Sequence, residues 1–146
     1  MSSLPPRLQK PLTDIHVRLY RATGGRIGRR FRGAPVLLLD HVGRKSGAHR
    51  TTPLMYARDG DDVLLIASNG GDAKHPAWFH NLTAAGEARV TVGPESWDVT
   101  VRLAEEEPER TRLWREMTAV YPTYDEYQER TDRQIPLLVL SRAGTA

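Results

Sequence analysis

From residue 34 onward the apolar positions fall in short runs separated by glycine, proline and charged residues, a rhythm of strands more than of long helices. Val36 to Val42 and Thr51 to Ala57 flank a turn at Gly43 to Gly47, and Pro53 confines the second segment to a sheet edge or a bulge. Arg58-Asp59-Gly60-Asp61 is a hairpin turn into Val63 to Ser68, whose unbroken apolar run suits a strand covered on both faces. Asn69 to His75 reads as a loop, and Pro76 as the first turn of a helix through Ala84 that Gly86 stops. Ala88 to Val92 and Trp97 to Leu103 form two more strands around Gly93-Pro94, with Trp97, Val99, Val101 and Leu103 on one face. After the acidic run Glu105 to Glu107, the pattern predicts a helix from Pro108 to about Val120, with Leu113, Trp114 and Met117 facing the core. A short helix over Tyr121 to Arg130 and a closing strand over Ile135 to Leu140 follow. At the other end, Pro5, Pro6 and Pro11 suggest an irregular arm, after which Thr13 caps a short helix carrying Ile15, Leu19 and Ala22 as far as Gly24-Gly25.

The expected order is β-β-β-α-β-β-α-α-β, with about six strands and no βαβ repetition. It describes a small, mainly antiparallel barrel (α+β) with peripheral helices over residues 35–146, preceded by an arm and short basic helix over residues 1–34. A chain of 146 residues with 39% hydrophobic and 27% charged residues is an ordinary globular domain. It has no cysteine, which excludes disulfides, thiolate metal sites and cysteine nucleophiles, and its histidines show no metal-ligand spacing. No apolar run is long enough to span a bilayer, and the first residues lack the pattern of a secretory signal, so a cytoplasmic location is expected.

Charge changes this picture. Residues 1–50 hold 11 Lys and Arg against Asp14 and Asp40, a balance of +9, whereas the remainder carries −6, so the net +3 conceals a basic N-terminal third. An anionic partner follows: nucleic acid, an acidic membrane surface or a phosphorylated small molecule. Nucleic acid is disfavoured, because the basic cluster lacks interleaved aromatics and no known nucleic-acid-binding motif is present. Ile15, Leu19, Ile27 and Phe31 lie among Arg18, Arg21, Arg26, Arg29, Arg30 and Arg32, a combination suited to an anionic membrane surface, to a cofactor, or simply to a solvated connector.

Three segments carry chemistry. Gly43-Arg44-Lys45-Ser46-Gly47-Ala48-His49-Arg50 gathers cations and a hydroxyl on a tight turn, either a cradle for phosphate or carboxylate or a soluble hairpin tip; it is not a Walker loop. Ser68-Asn69-Gly70-Gly71 ends a buried strand and leads to a helix start at Pro76-Ala77-Trp78, which suits an anion or close backbone approach by a ligand, or else a tight connection with Trp78 in the core. Tyr121, Tyr124 and Tyr127, three apart, form an aromatic stripe that is either core or the half-exposed wall of a site for a flat substrate.

Taken together, Gly43-Arg44-Lys45-Ser46-Gly47, Pro53-Leu54, Ser68-x-Gly70-Gly71-x-x-Lys74-His75-Pro76-x-Trp78-x-x-Asn81-Leu82, Tyr121-Pro122-x-Tyr124-x-x-Tyr127-Gln128 and Arg133-x-Ile135-Pro136 resemble the deazaflavin-dependent nitroreductase family. The resemblance spans about Pro35 to Leu140. It implies an FMN-binding split-barrel-like fold, generally dimeric, that uses reduced coenzyme F420, with FMN less favoured, to pass a hydride to a quinone, a nitro compound or an activated double bond. On the same resemblance, Lys45 and Arg50, beside Arg44 and Ser46, hold the phosphate and oligoglutamate tail of the coenzyme. Pro53, Leu54 and Met55 with Ala67, Ser68, Asn69, Gly70 and Gly71 flank the ring, and Trp78 with Asn81 closes the groove. Ser68, Tyr121, Tyr124 and Tyr127 face the acceptor and act in catalysis by hydrogen-bonding the oxygen that gains charge. His41, Met55, Asn69 and Ala77 depart from residues common in similar sequences, which bears on acceptor choice. The rival reading is a non-catalytic carrier of a flavin, deazaflavin or other flat ligand.

Overall fold

The computed structural model describes residues 6–31 and 33–143, with side chains from Thr13 onward. Helix α1 (Pro6–Ala22) leads through turns to β1 (Arg30–Phe31), β2 (Ala34–Val42), β3 (His49–Met55), β4 (Ala57–Asp59) and β5 (Asp62–Ile66). A 3-10 turn at Asn69–Gly71 precedes α2 (Ala77–Ala85), followed by β6 (Glu87–Val92), β7 (Glu95–Leu103), α3 (Glu109–Val120), α4 (Thr123–Glu129) and β8 (Leu137–Arg142). The described strands form one antiparallel sheet in the order β1-β2-β6-β7-β8-β5-β4, with β3 on the other side of β2.

The sheet is a curled half-barrel, as expected, but with eight strands in place of about six. Two reasons account for the difference. The segment expected as one strand, Thr51 to Ala57, breaks at Tyr56: β3 pairs with β2 and β4 pairs with β5, so one extended stretch supplies both margins of the curled sheet. Pro53 sits on the outermost of these strands, where the ladder needs no amide from it. The second addition, β1, is a two-residue pairing, Arg30 with Pro35 and Phe31 with Ala34. Helix α1 also begins earlier than expected, at Pro6 and not at Thr13. Pro6 takes a first-turn position, where a missing amide is harmless, and the chain remains helical through Pro11. The start of the expected arm and Arg32 lie outside the described residues.

Strands β5 and β8 are covered on both faces, which explains their unbroken apolar sequences. Val63, Leu65, Leu138 and Leu140 point into the barrel with Leu37, Leu39, Val90, Val99 and the α2 residues Trp78, Phe79 and Leu82. Leu64, Ile66, Leu137 and Val139 point outward under α3 and α4, against Leu113, Met117, Tyr121 and Tyr124. Trp114, expected in the core, is only partly buried; its indole N–H instead donates to Asp125 Oδ1 at 2.7 Å and joins α3 to α4.

Fully buried Tyr20 fastens α1 to this framework. Its hydroxyl accepts the Gly93 amide proton at 2.7 Å and faces the carbonyls of Val36 at 3.1 Å and Thr91 at 3.3 Å. One phenol thus ties β2, β6 and the β6–β7 turn. Tyr20→Phe keeps the ring and strands these backbone groups. We expect a loss of about 1–3 kcal/mol in stability, measured by urea unfolding; an unchanged midpoint would contradict this role.

Candidate active site

A cleft of about 880 Å³ opens between the inner margin of the sheet, the 3-10 turn and α4. Its walls gather three of the expected groups from distant parts of the chain: Pro53, Leu54 and Met55 from β3; Ser68, Asn69 and Gly70 after β5, with Trp78 of α2; and Tyr121, Tyr124 and Tyr127. Sequence reasoning missed His16, Val36 and Asp72, which line the same cleft, whereas Phe31, for which a cofactor contact was one of three readings, does line it. Local patterns carried no sign that α1 returns to it.

The tyrosines resolve the choice between core and cleft by being both. Tyr121 and Tyr124 are buried under α3, and all three rings stand within 5.1–6.2 Å of one another between centroids. The hydroxyls of Tyr121 and Tyr127 are 3.3 Å apart. Burial, then the neighbouring phenols Tyr121 and Tyr127, push the Tyr124 pKa above its ordinary value. Tyr124 therefore stays protonated at neutral pH.

The turn beside β5 is held by Arg133. Its guanidinium donates to the carbonyls of Asp72 (2.9 Å), Ala67 (3.3 Å) and Ser68 (2.7 Å), and to His75 Nδ1 (2.9 Å). Gln128 completes the clamp: its amide donates to the Arg133 carbonyl at 2.8 Å and accepts from the Ile135 amide at 2.9 Å. Asn69 (φ 48°) and Gly71 (φ 82°) supply the left-handed backbone that the turn needs, and a Cβ at Gly71 would stand 2.8 Å from the Tyr127 carbonyl oxygen. Among the described residues the Ser68 hydroxyl makes no hydrogen bond, so it is available to a ligand.

Three residues expected to flank the ring or close the groove do not line the cleft. Ala67 is fully buried in the barrel core, because β5 continues inward up to that point. Gly71 is pinned under Tyr127. Asn81 points away from the cleft, to the basic turn, where Oδ1 accepts the Arg44 amide proton at 3.0 Å. The turn residues Arg44, Lys45, Ser46 and Arg50 are exposed and outside the cleft wall. Arg50 lies near the far end of β3, roughly 10 Å from Pro53 at about 3.3 Å per residue, and Arg44, Lys45 and Ser46 lie in the turn that precedes the strand. No ion pair engages Arg44, Lys45 or Arg50 among the described residues.

The Asn81 contact also defines a protonation state. Since Oδ1 accepts from Arg44, Nδ2 must be the donor to His41 Nδ1 at 3.0 Å, leaving the proton on Nε2, which donates to Thr52 Oγ1 at 2.9 Å. Burial, followed by the positive charge of Arg50, lowers the His41 pKa. Burial and Arg133 lower that of His75 as well.

No group of residues among those described could hold a metal ion. The fold is thus a half-barrel with a cleft of aromatic and strand walls, and with a cationic turn at the far end of β3. Comparison with known proteins specifies the class. Residues 12–142 match the family described as F420H(2)-dependent quinone reductase, and the chain belongs to that family. It is 45% identical over 134 residues, 90% of each chain, to an F420H(2)-dependent quinone reductase of Mycobacterium tuberculosis strain H37Rv. Among solved structures, an F420-H2 dependent reductase (FDR-A) superposes with a TM-score of 0.68 at 39% identity, covering 73% of this chain and 94% of the other. A protein described as a domain-swapped dimer superposes with a TM-score of 0.70 at 33% identity, covering 92% and 99%.

Because the folded-state pKa values of His41 and His75 are lowered, the unfolded chain binds more protons in the mildly acidic range. Stability therefore rises with pH and is lost as pH falls through the unfolded histidine value of about 6.5. Thermal unfolding between pH 8 and pH 5 should show this decline, with a smaller slope in His41→Asn; an equal slope would assign the dependence elsewhere. Gly71→Ala, strained in backbone and crowded by Tyr127, should lower Tm by several degrees in the same assay.

Proposed function

We propose that this chain is an F420H2-dependent quinone reductase whose cleft holds the deazaflavin ring and the acceptor together. The observation that carries this reading is the joining of two features by one strand: β3 lines the cleft with Pro53–Met55 and ends at the unpaired cations of the basic turn. A flat ring with an anionic tail needs that arrangement. The cleft volume of about 880 Å³ is within the roughly 300–1,000 Å³ of small-molecule sites. When bound, the reduced deazaflavin supplies a hydride.

The residues divide the remaining work. Arg44, Lys45 and Arg50, with Ser46, neutralise the phosphate and glutamate tail, and Asn81 acts indirectly by holding the Arg44 backbone in place. Pro53, Leu54, Met55, Asn69, Gly70 and Trp78 enclose the ring and exclude water. Ala67 and Gly71 contribute by shaping the turn. Ser68 and the protonated phenols of Tyr121, Tyr124 and Tyr127 donate hydrogen bonds to the acceptor oxygen on which charge develops. A quinone is the acceptor best matched to these donors, and nitro compounds or activated double bonds would meet the same groups.

Two finer readings accompany this function. A homodimer is proposed by likeness to the dimeric neighbour, with residues 35–146 as the cofactor-binding unit. Contact with an anionic membrane is proposed for Ile15, Leu19 and Ile27, which are 55%, 42% and 49% exposed beside Arg18 and Arg26, whereas Phe31 lines the cleft. Among the described residues, no helix is long and apolar enough to cross a membrane.

Fluorescence titration should give tighter binding of F420 than of FMN, and menadione should oxidise the reduced coenzyme catalytically. Binding without acceptor-dependent turnover would favour the carrier reading. Lys45→Ala and Arg50→Ala should each weaken F420 binding about ten- to a hundredfold, from the loss of charge-assisted hydrogen bonds of roughly 1.5–3 kcal/mol, with little change in kcat. Equal binding by wild type and both variants would remove the turn from the site.

A further inference from the structure

His16 stands apart from every residue that the function above employs. It comes from α1, is partly buried, and lines the cleft that also holds Ser68 and the three tyrosines. Its Nε2 is 2.7 Å from the carbonyl oxygen of Gly28. A carbonyl can only accept, so Nε2 carries a proton and donates it there. The other ring nitrogen, Nδ1, has no hydrogen-bond partner among the described residues.

The seat of this imidazole is built into the backbone. Gly28 adopts φ +93°, and a Cβ at that position would lie 2.6 Å from His16 Cδ2 and 2.7 Å from Nε2. Only glycine lets the chain fold closely around the ring while presenting its carbonyl to Nε2. An imidazole that lines the cleft, is oriented through Nε2 by a fixed acceptor and has Nδ1 uncommitted is equipped to exchange a proton there. The carbonyl can keep its bond to Nε2–H whether or not Nδ1 carries a proton.

Reducing a quinone to a hydroquinone requires a hydride and a proton. A phenol, with an ordinary pKa of about 10, gives up its proton less readily than an imidazolium, and burial raises the Tyr124 value further. We propose that His16 is a further catalytic residue, the proton donor to the quinone oxygen. The hydride reduces the quinone to a hydroquinone anion. The Nδ1–H bond of the imidazolium breaks, its proton forms the O–H bond of the hydroquinone, and the neutral ring keeps Nε2–H on the Gly28 carbonyl. Water returns a proton to Nδ1, and the oxidised cofactor releases one to solvent, so charge and atoms balance.

This proposal rests on quinone reduction in the cleft. Its test uses the full chain with F420 bound, and two readouts. In protein labelled with 15N-histidine, with oxidised F420 present and no turnover, menadione should shift the His16 Nδ1 resonance, identified by its loss in His16→Gln. In kinetics, His16→Gln can still donate an amide N–H to the Gly28 carbonyl but carries no titratable proton. It should bind F420 as wild type does and lose at least tenfold in kcat for menadione. His16→Asn checks that the loss follows the chemistry and not one variant's folding, and should fall equally. A His16 resonance indifferent to menadione, or a His16→Gln kcat within twofold of wild type, overturns the assignment. Failure of the underlying reading would look different: the wild-type protein itself would not oxidise reduced F420 with menadione.

Discussion

The Arg133 guanidinium is the point at which the sheet, the cleft turn and α4 are joined. Its donors end on the carbonyls of Ala67, Ser68 and Asp72 and on His75, and Gln128 on α4 grips its own backbone. The turn it holds has left-handed residues and little apolar packing of its own, so without these bonds nothing would keep Ser68 and Gly70 facing Pro53. A lysine could not replace it, since a point charge cannot address several carbonyls in one plane. Burial lowers the Arg133 pKa, yet a guanidinium remains charged throughout the physiological range.

A second constraint is the path of one extended stretch along both margins of the sheet. Because β3 and β4 are separated by Tyr56 alone, the margin that borders the cleft is continuous with the margin that packs under α3. The same stretch carries the link from cleft to cations, with Arg50 at one end and Met55 at the other. Asn81, His41 and Thr52 then tie the basic turn, α2 and β3 into one body through three short contacts. The cleft wall and the basic turn are consequently linked through one strand and its hydrogen bonds.

Much of the site was legible in the residues. Strands covered on both faces announce themselves by unbroken apolar runs, as in Val63–Ile66 and Leu137–Leu140. Pro53 marked an edge because a ladder cannot use it, and Gly86 marked a helix end by its left-handed conformation, φ 72°. The spacing of Tyr121, Tyr124 and Tyr127 placed them on one face. Other features had no local signal. Nothing in the neighbourhood of His16 says that it reaches a cleft whose other walls begin at Phe31 and end at Tyr127. Tyr20, read only as part of an amphipathic helix, proves to be the bolt between three backbone segments distant in sequence.

Periodicity and turn chemistry thus determined the mainly antiparallel class, the order of most elements and the three groups of chemical residues, because each depends on neighbours a few positions away. Charge along the chain suggested an anionic partner for the basic N-terminal third, and the family resemblance assigned that anion to Arg44, Lys45 and Arg50. Tertiary structure alone decided where a side chain points once elements meet. It turned Asn81 from the cleft to the basic turn, buried Ala67 and brought His16 to the site. The reason is physical: hydrogen bonds between distant segments, such as those of Tyr20, Asn81 and Arg133, depend on three-dimensional register, which no local pattern encodes.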